Sequence, residues 1–211
     1  MTAPGLDRRE EASRRTFDRW AAAFDRSRLL RTTRAHALHD LALTPGDRFL
    51  DVACGGGRLV LAAAPHVTRA AGIDLSPGML DRARTRAAAS ANVDLHLGSA
   101  QRLPFADGEF TVVACTAALH HFPDPAAAVA EVERVLAPGG RFLLADVCTD
   151  ALPMRGVDAL LRRFERGHVG FRPAAGLERL VAEAGLTVVR ARHRLLRTYA
   201  LVLARKGEAG G

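Results

Sequence analysis

Residues Phe49-Leu50-Asp51-Val52-Ala53-Cys54-Gly55-Gly56-Gly57-Arg58-Leu59 read as a buried strand, a glycine turn and the opening of a helix near Arg58. Glycine suits such a turn because it accepts positive φ and lets a ligand lie against the backbone. The turn ends at a helix N-terminus, where unpaired N–H groups and the helix dipole attract electronegative atoms. About 20 residues on, the apolar run Ala70-Ala71-Gly72-Ile73 ends in Asp74, where nucleotide-binding βαβ units keep an acid for ribose hydroxyls. Turn and acid together point to an adenosine-containing cofactor. On these residues alone, a plain βα turn followed by a chance acid stays open.

The glycine spacing narrows the choice. A dinucleotide site needs G-x-G-x-x-G after its first strand. Here Gly55 and Gly57 are followed at the third position by Val60, a poor pyrophosphate fingerprint. The pattern Asp51-x-Ala53-x-Gly55-x-Gly57 resembles motif I of the class I S-adenosylmethionine-dependent methyltransferases, with Ala53 replacing the first glycine. The likeness continues in Gly72-Ile73-Asp74-Leu75-Ser76-Pro77-Gly78-Met79-Leu80, Gly98-Ser99-Ala100-Gln101-Arg102-Leu103-Pro104-Phe105, Leu119-His120-His121-Phe122-Pro123-Asp124-Pro125 and Leu136-Ala137-Pro138-Gly139-Gly140. These blocks run from about Asp47 to Val147 and are most similar to the small C-, O- and N-methyltransferases related to quinone-biosynthesis enzymes.

The resemblance implies an α/β fold: a doubly wound, mostly parallel seven-stranded sheet of Rossmann-like type with a C-terminal antiparallel hairpin. It implies S-adenosylmethionine as cofactor and S-adenosylhomocysteine as product. By the same likeness Asp51 and Ala53 belong to the cofactor-binding turn, Gly55 and Gly57 back the methionine portion, and Asp74 takes the ribose hydroxyls. Leu75 and Met79 flank the adenine, although plain core packing explains these two equally well. Ser99, Ala100 and Gln101 form the adenine-side loop, and the backbone at Thr116 and Ala117 holds the ammonium. Ser99 stands where an Asp commonly accepts from the adenine amino group.

Composition bounds the rest. At 211 residues and 48% hydrophobic content, the chain is one domain with room for a core. It holds no apolar run of about 18 residues, and Met1 to Arg15 lacks a signal-peptide core. A cytoplasmic protein is expected. Cys54, Cys115 and Cys148 lack C-x-x-C spacing and read as buried thiols, so neither a disulfide nor a metal site is expected. The formal charge of +7 raises the question of nucleic acid. Only Lys206 of the 30 basic residues is lysine, and the scattered arginines have no aromatic platform for stacking bases. No nucleic acid or membrane partner is expected; the chain reads as a monomer or homodimer.

Outward from the glycine turn, residues 1–43 are expected as a helical cover: Phe17, Trp20, Ala21 and Phe24 recur at helical spacing, and a second helix spans about Arg31 to Leu41. Residues 44–147 form the cofactor core. Its strands are placed near Arg48–Ala53, Arg69–Asp74, Val93–Gly98, Phe110–Thr116 and Arg141–Asp146. Ser76-Pro77 and Asp124-Pro125 cap helix starts, and Pro138-Gly139-Gly140 ends the helix from Asp124 to Leu136. Residues 148–173 form a substrate-side insertion with a basic helix, Val157 to Arg166. In 174–206 a helix (Ala174 to Ala184) precedes strands Leu186–Arg192 and Thr198–Arg205, too close together for anything but an antiparallel hairpin.

Methyl transfer from a sulfonium needs chiefly proximity and orientation. His120 and His121 are the candidate general bases for a phenolic, hydroxylic or carbon acceptor, with pocket shaping as the plain alternative, and His168 is a further candidate. Trp20, Phe24, Leu160, Leu161, Phe164 and Phe171 are expected to wall the acceptor pocket, and Arg162, Arg163, Arg166 and Arg172 to face solvent or an anionic acceptor. The expected function is methylation of a small metabolite, aromatic or quinone-like, as in secondary metabolism. An RNA methyltransferase and a cofactor-binding protein without methyl transfer are the alternatives.

Overall fold

A computed structural model describes residues 6, 8–25, 37–165 and 167–208, with backbone only at 20–25. The readings of Trp20, Phe24, Arg166 and the start of a helix at Arg31 lie outside the described residues or side chains. Seven strands form one sheet: β1 (Arg48–Val52), β2 (Arg69–Asp74), β3 (Val93–Leu97), β4 (Phe110–Thr116), β5 (Leu136–Val147), β6 (Thr187–Arg194) and β7 (Tyr199–Arg205). Their order is β3-β2-β1-β4-β5-β7-β6. The first five pair in parallel, and β7 runs antiparallel to both β5 and β6. β7 is the reversed strand because only Leu195 to Thr198 joins it to β6, too short a link for a crossover.

Central strands are apolar on both sides because helices cover both faces. In β4, Val113 and Cys115 join one core layer with Val129 and Val132 of α4 (Pro125–Val135) and Leu177 and Val181 of α6 (Ala174–Glu183). Val112 and Ala114 turn the other way. They meet Leu59 and Val60 of α2 (Arg58–Ala63), Leu80 of α3 (Pro77–Ala87) and the helical residues 37–41. The remaining described helices, α1 (Arg8–Asp25) and α5 (Leu152–Phe164), lie outside these two layers. Among the described residues no helix is long and apolar enough to cross a membrane.

Two boundaries differ from expectation. β5 begins at Leu136, which pairs with Phe110, rather than at Arg141. Pro138 disfavours helix at the residue before it, so α4 stops before the glycines are reached. The insertion helix begins at Leu152, with Pro153 in its first turn, and ends at Phe164.

At the amino ends of the strands, buried Asp47 ties three elements together. Its carboxylate accepts from the Thr44 N–H (2.8 Å), the Thr111 hydroxyl (2.7 Å) and Arg141 (2.7 Å). Burial pushes this carboxyl up, but the hydrogen bonds and the Arg141 charge outweigh it and hold it below its ordinary value. Such a group stabilises the fold above its unfolded pKa, near 3.9, and loses that contribution as pH falls through the native value. Asp47→Asn is expected to cost about 2 kcal/mol at pH 7 in denaturant unfolding. The gap to the parent should close below about pH 4; a gap that stays constant there would refute this account.

Candidate active site

The carboxyl ends of β3, β2, β1 and β4 line one open cavity, spanning the switch point between β1 and β4 where ligands of doubly wound sheets bind. Asp51, Ala53, Gly55, Asp74, Leu75, Met79, Ser99, Ala100, Gln101, Thr116 and Ala117 all reach its wall, as does His121. Four loops thus converge because four parallel strands end side by side.

Asp74 organises this wall. One carboxylate oxygen accepts from the Gly55 N–H (2.8 Å) and the other from the Ser76 N–H (2.9 Å). Burial raises its pKa to about 6, against the lowering effect of those two hydrogen bonds. Ser76 then caps α3 by accepting from the Met79 N–H (3.1 Å). The turns after β1 and β4 are both left-handed: φ is 58° at Ala53, 53° at Gly55 and 54° at Ala117. Positive φ at two alanines is strain held at the cavity wall, where such outliers concentrate.

Two expected site residues sit elsewhere. Gly57 does not line the cavity. Its φ is 74°, and a Cβ there would stand 2.8 Å from the Ala83 Cβ, so its role is close packing of α2 on α3. His120 is also outside the wall. Its N–H donates to Asp146 (3.0 Å) and its Nδ1 lies 2.6 Å from the same carboxylate, which holds the ring behind the cavity. His121 does face the cavity, with Nδ1 3.0 Å from the Gly167 carbonyl and its ring edge-on to Phe17. Burial first, and the neighbouring His120 and His168 next, push its pKa well below the usual value, disfavouring the imidazolium a general base must form. The expected acceptor wall is not found either: Leu160 and Phe164 are 59% and 76% exposed, Leu161 is outside the lining, and Phe171 packs on His120 and His168.

What the sequence did not reveal is which residues of the expected N-terminal cover reach the cofactor cavity. Glu10, Ser13 and Phe17 line the cavity. Glu10 is 2% exposed and accepts from the Ser99 hydroxyl and from the Gln101 amide (3.0 Å). Next to Phe17, Asp18 accepts from the Ser76 hydroxyl (2.5 Å) and the Gly78 N–H (3.2 Å). Among the described residues the wall therefore carries three carboxylates, Glu10, Asp51 and Asp74, and no lysine or arginine. In a chain of net charge +7, the cavity suits a cationic ligand.

Residues 50–144 match the family described as a methyltransferase domain. The chain is 39% identical over 150 residues to the ubiquinone biosynthesis O-methyltransferase of Thiobacillus denitrificans, covering 67% of this chain and 65% of that protein. It is 36% identical over 152 residues to the demethylmenaquinone methyltransferase of Symbiobacterium thermophilum, covering 66% and 61%. The matches thus span less than two thirds of those relatives. Among solved structures, geranyl diphosphate C-methyltransferase of Streptomyces coelicolor, in complex with S-adenosyl-L-homocysteine, superposes with a TM-score of 0.70 at 20% identity. That match covers 83% of this chain and 76% of the other, and it shows a shared fold.

Gly57→Ala is expected to lower stability by about 1–3 kcal/mol, through left-handed strain and the clash with Ala83. Thermal unfolding of the variant checks this, and an unchanged melting temperature would show that the α2–α3 contact gives way freely.

Proposed function

The chain belongs to the class I S-adenosylmethionine-dependent methyltransferases, and on that premise we propose that it methylates a small aromatic or quinone-like metabolite. The observation that carries the reading is the acid-walled cavity organised by Asp74. A ligand with a sulfonium and an ammonium group fits three carboxylates, whereas a dinucleotide pyrophosphate would meet repulsion and, among the described residues, no cationic partner. The fit extends to shape, since the left-handed turns at Ala53 and Gly55 bring bare backbone to the cavity. Bound there, S-adenosylmethionine supplies an electrophilic methyl group whose transfer leaves neutral S-adenosylhomocysteine.

The chain's own residues position and desolvate. Asp74, already fixed by two N–H donors, has lone pairs left for ribose hydroxyls. Leu75 and Met79 offer an apolar slot for adenine, and the carbonyl groups at Thr116 and Ala117 offer acceptors for the ammonium. The Ala117 N–H is spent on the Ala145 carbonyl (2.7 Å), so this stretch accepts rather than donates. Phe17, Phe122 and Pro123 exclude water beside His121. Glu10 fills the place left by Ser99: its carboxylate, held by Ser99 and Gln101, becomes the acceptor for the adenine amino group. The acidic wall also argues against an RNA phosphate backbone, and three buried free thiols suit the reducing cytoplasm.

Calorimetry with S-adenosylhomocysteine is expected to give micromolar affinity, about −8 kcal/mol. Asp74→Ala should weaken it by about 1.5–3 kcal/mol, and Asp81→Ala, 75% exposed on α3, should leave it unchanged. Because the Asp74 pKa is about 6 and binding needs the carboxylate, affinity should drop about tenfold from pH 7 to pH 5. Heat with a nicotinamide dinucleotide and none with S-adenosylhomocysteine would sink the reading. Transfer of labelled methyl to a panel of catechols and hydroquinones tests the activity; binding without turnover of any panel member would favour a non-catalytic cofactor binder.

Glu10→Gln should weaken S-adenosylhomocysteine by about 1–2 kcal/mol and leave its inosine analogue, which lacks the amino group, unaffected. Equal losses for both ligands would remove Glu10 from the adenine site.

A further inference from the structure

His120 and His121 follow one another in the turn after β4, while His168 lies 47 residues on in the insertion. The backbone brings them together deliberately. The N–H groups of Val169 and Gly170 donate to the His120 carbonyl (2.8 and 3.2 Å), and the Ser13 hydroxyl reaches the carbonyls of both His121 and Gly167 (3.3 Å each). The ring centroids of His120 and His121 are 4.0 Å apart, and those of His168 lie 5.6 and 5.9 Å from them. One nitrogen from each ring falls within 4.8 Å of the other two.

Each ring is also oriented from behind. His120 Nδ1 lies 2.6 Å from Asp146, His121 Nδ1 3.0 Å from the Gly167 carbonyl, and His168 Nε2 2.8 Å from Asp158. Asp158 is itself fixed by the Phe171 N–H (2.7 Å) and by Arg162 (2.8 Å). A carboxylate or carbonyl on the far nitrogen is how proteins aim histidines at a metal and raise their basicity. His168 adds an unmet demand: its side chain is wholly buried, and among the described residues Nδ1 has no hydrogen-bond partner. A buried polar atom left unpaired is costly and asks for a ligand.

We propose that His120, His121 and His168 bind one divalent transition-metal ion, through His120 Nε2, His121 Nε2 and His168 Nδ1, with an open coordination position toward the cavity that His121 lines. Three imidazoles without a hard carboxylate select zinc, cobalt, nickel or ferrous iron over magnesium or calcium. Three protein ligands with one position open is the arrangement of catalytic rather than structural zinc. The ion takes the place of a general base at the acceptor. It would hold a phenolic or enolic hydroxyl of the acceptor and lower its pKa; the proton leaves to solvent and the oxygen remains as nucleophile. This last role rests on the methyltransferase reading, whereas the binding of the ion does not.

The full chain, stripped with a chelator and then titrated with cobalt(II) in the absence of nucleotide, tests the site. Visible d–d absorption saturating at about one cobalt per chain, and displaced by zinc, is expected. Asp158→Asn, which keeps all three rings, should weaken cobalt by about 10–100-fold, and His168→Ala should abolish the band, with circular dichroism confirming folded protein. His193→Ala should match the parent. His193 belongs to the other candidate group, Cys148, Asp150 and His193, so a band lost in that variant and kept in His168→Ala would overturn the assignment. No saturable cobalt band in the parent would also overturn it, whatever the variants do. Calorimetry with S-adenosylhomocysteine on the same stripped protein separates the two claims: heat without cobalt binding removes only the metal site, and cobalt binding without heat removes only the methyltransferase reading.

Discussion

The carboxylate of Asp74 is the point on which the site depends. It ends β2 in a buried position, and a buried carboxylate persists only if its oxygens are met by donors. The Gly55 and Ser76 N–H groups meet them, so one side chain fixes the turn after β1 and the start of α3 at once. Ser76 passes the constraint on, accepting from Met79 and donating to Asp18 of α1. The cost of desolvating Asp74 shows in its raised pKa, and the same desolvation strengthens any hydrogen bond it makes to a bound hydroxyl. Structural strut and ligand acceptor are here one group.

Local chemistry was legible in the sequence and long-range chemistry was not. The glycine turn, Asp74 and the Ser76-Pro77 cap are short patterns whose geometry follows from a few adjacent residues, and each falls where those patterns predict. Gly57 shows the limit of the same reasoning. A glycine in such a turn can serve a ligand or a neighbouring helix, and only Ala83, 26 residues away, decides between them. Glu10 was unreadable for a related reason. In the run Arg8-Arg9-Glu10-Glu11 nothing marks one acid as buried, since its partners Ser99 and Gln101 are 89 and 91 residues distant. The insertion misled through amphipathicity: Leu152, Leu160 and Phe164 repeat at helical spacing, yet that face is exposed.

The arginines clarify the charge. Rather than forming one basic patch, several act as internal ties between elements. Arg134 contacts Glu131 and Asp107 while donating to the carbonyls of Leu103 and Phe105, which fixes the loop after the adenine corner. Arg69 of β2 bridges Asp94 on the neighbouring β3 and Glu109, just before β4 on the far side of β1. Arg190, Arg192 and Arg194 place their charges along the edge strand β6, within about 4 Å of buried Asp40. Charged side chains on an edge strand also discourage pairing with a second sheet. The planar, multiply donating guanidinium suits these ties better than a lysine ammonium would. These ties engage part of the positive charge within the scaffold, and the described cavity wall is acidic.

Helix α1 couples the two ends of the site. Toward the adenine corner it contributes Glu10, toward the start of α3 Asp18, and between them Ser13 and Phe17 meet the histidine turn and the insertion. Its described polar attachments are each worth about 1 kcal/mol net, whereas α2 and α3 are fixed by burial in the sheet layers. Ser13 makes the arrangement consequential: its hydroxyl spans the carbonyls of His121 and Gly167, the same carbonyl that orients the His121 ring. Displacing α1 therefore removes Glu10 from the adenine corner and the hydroxyl clamp from the histidine cluster in a single movement, so that a closed cofactor site and an aligned histidine cluster occur together.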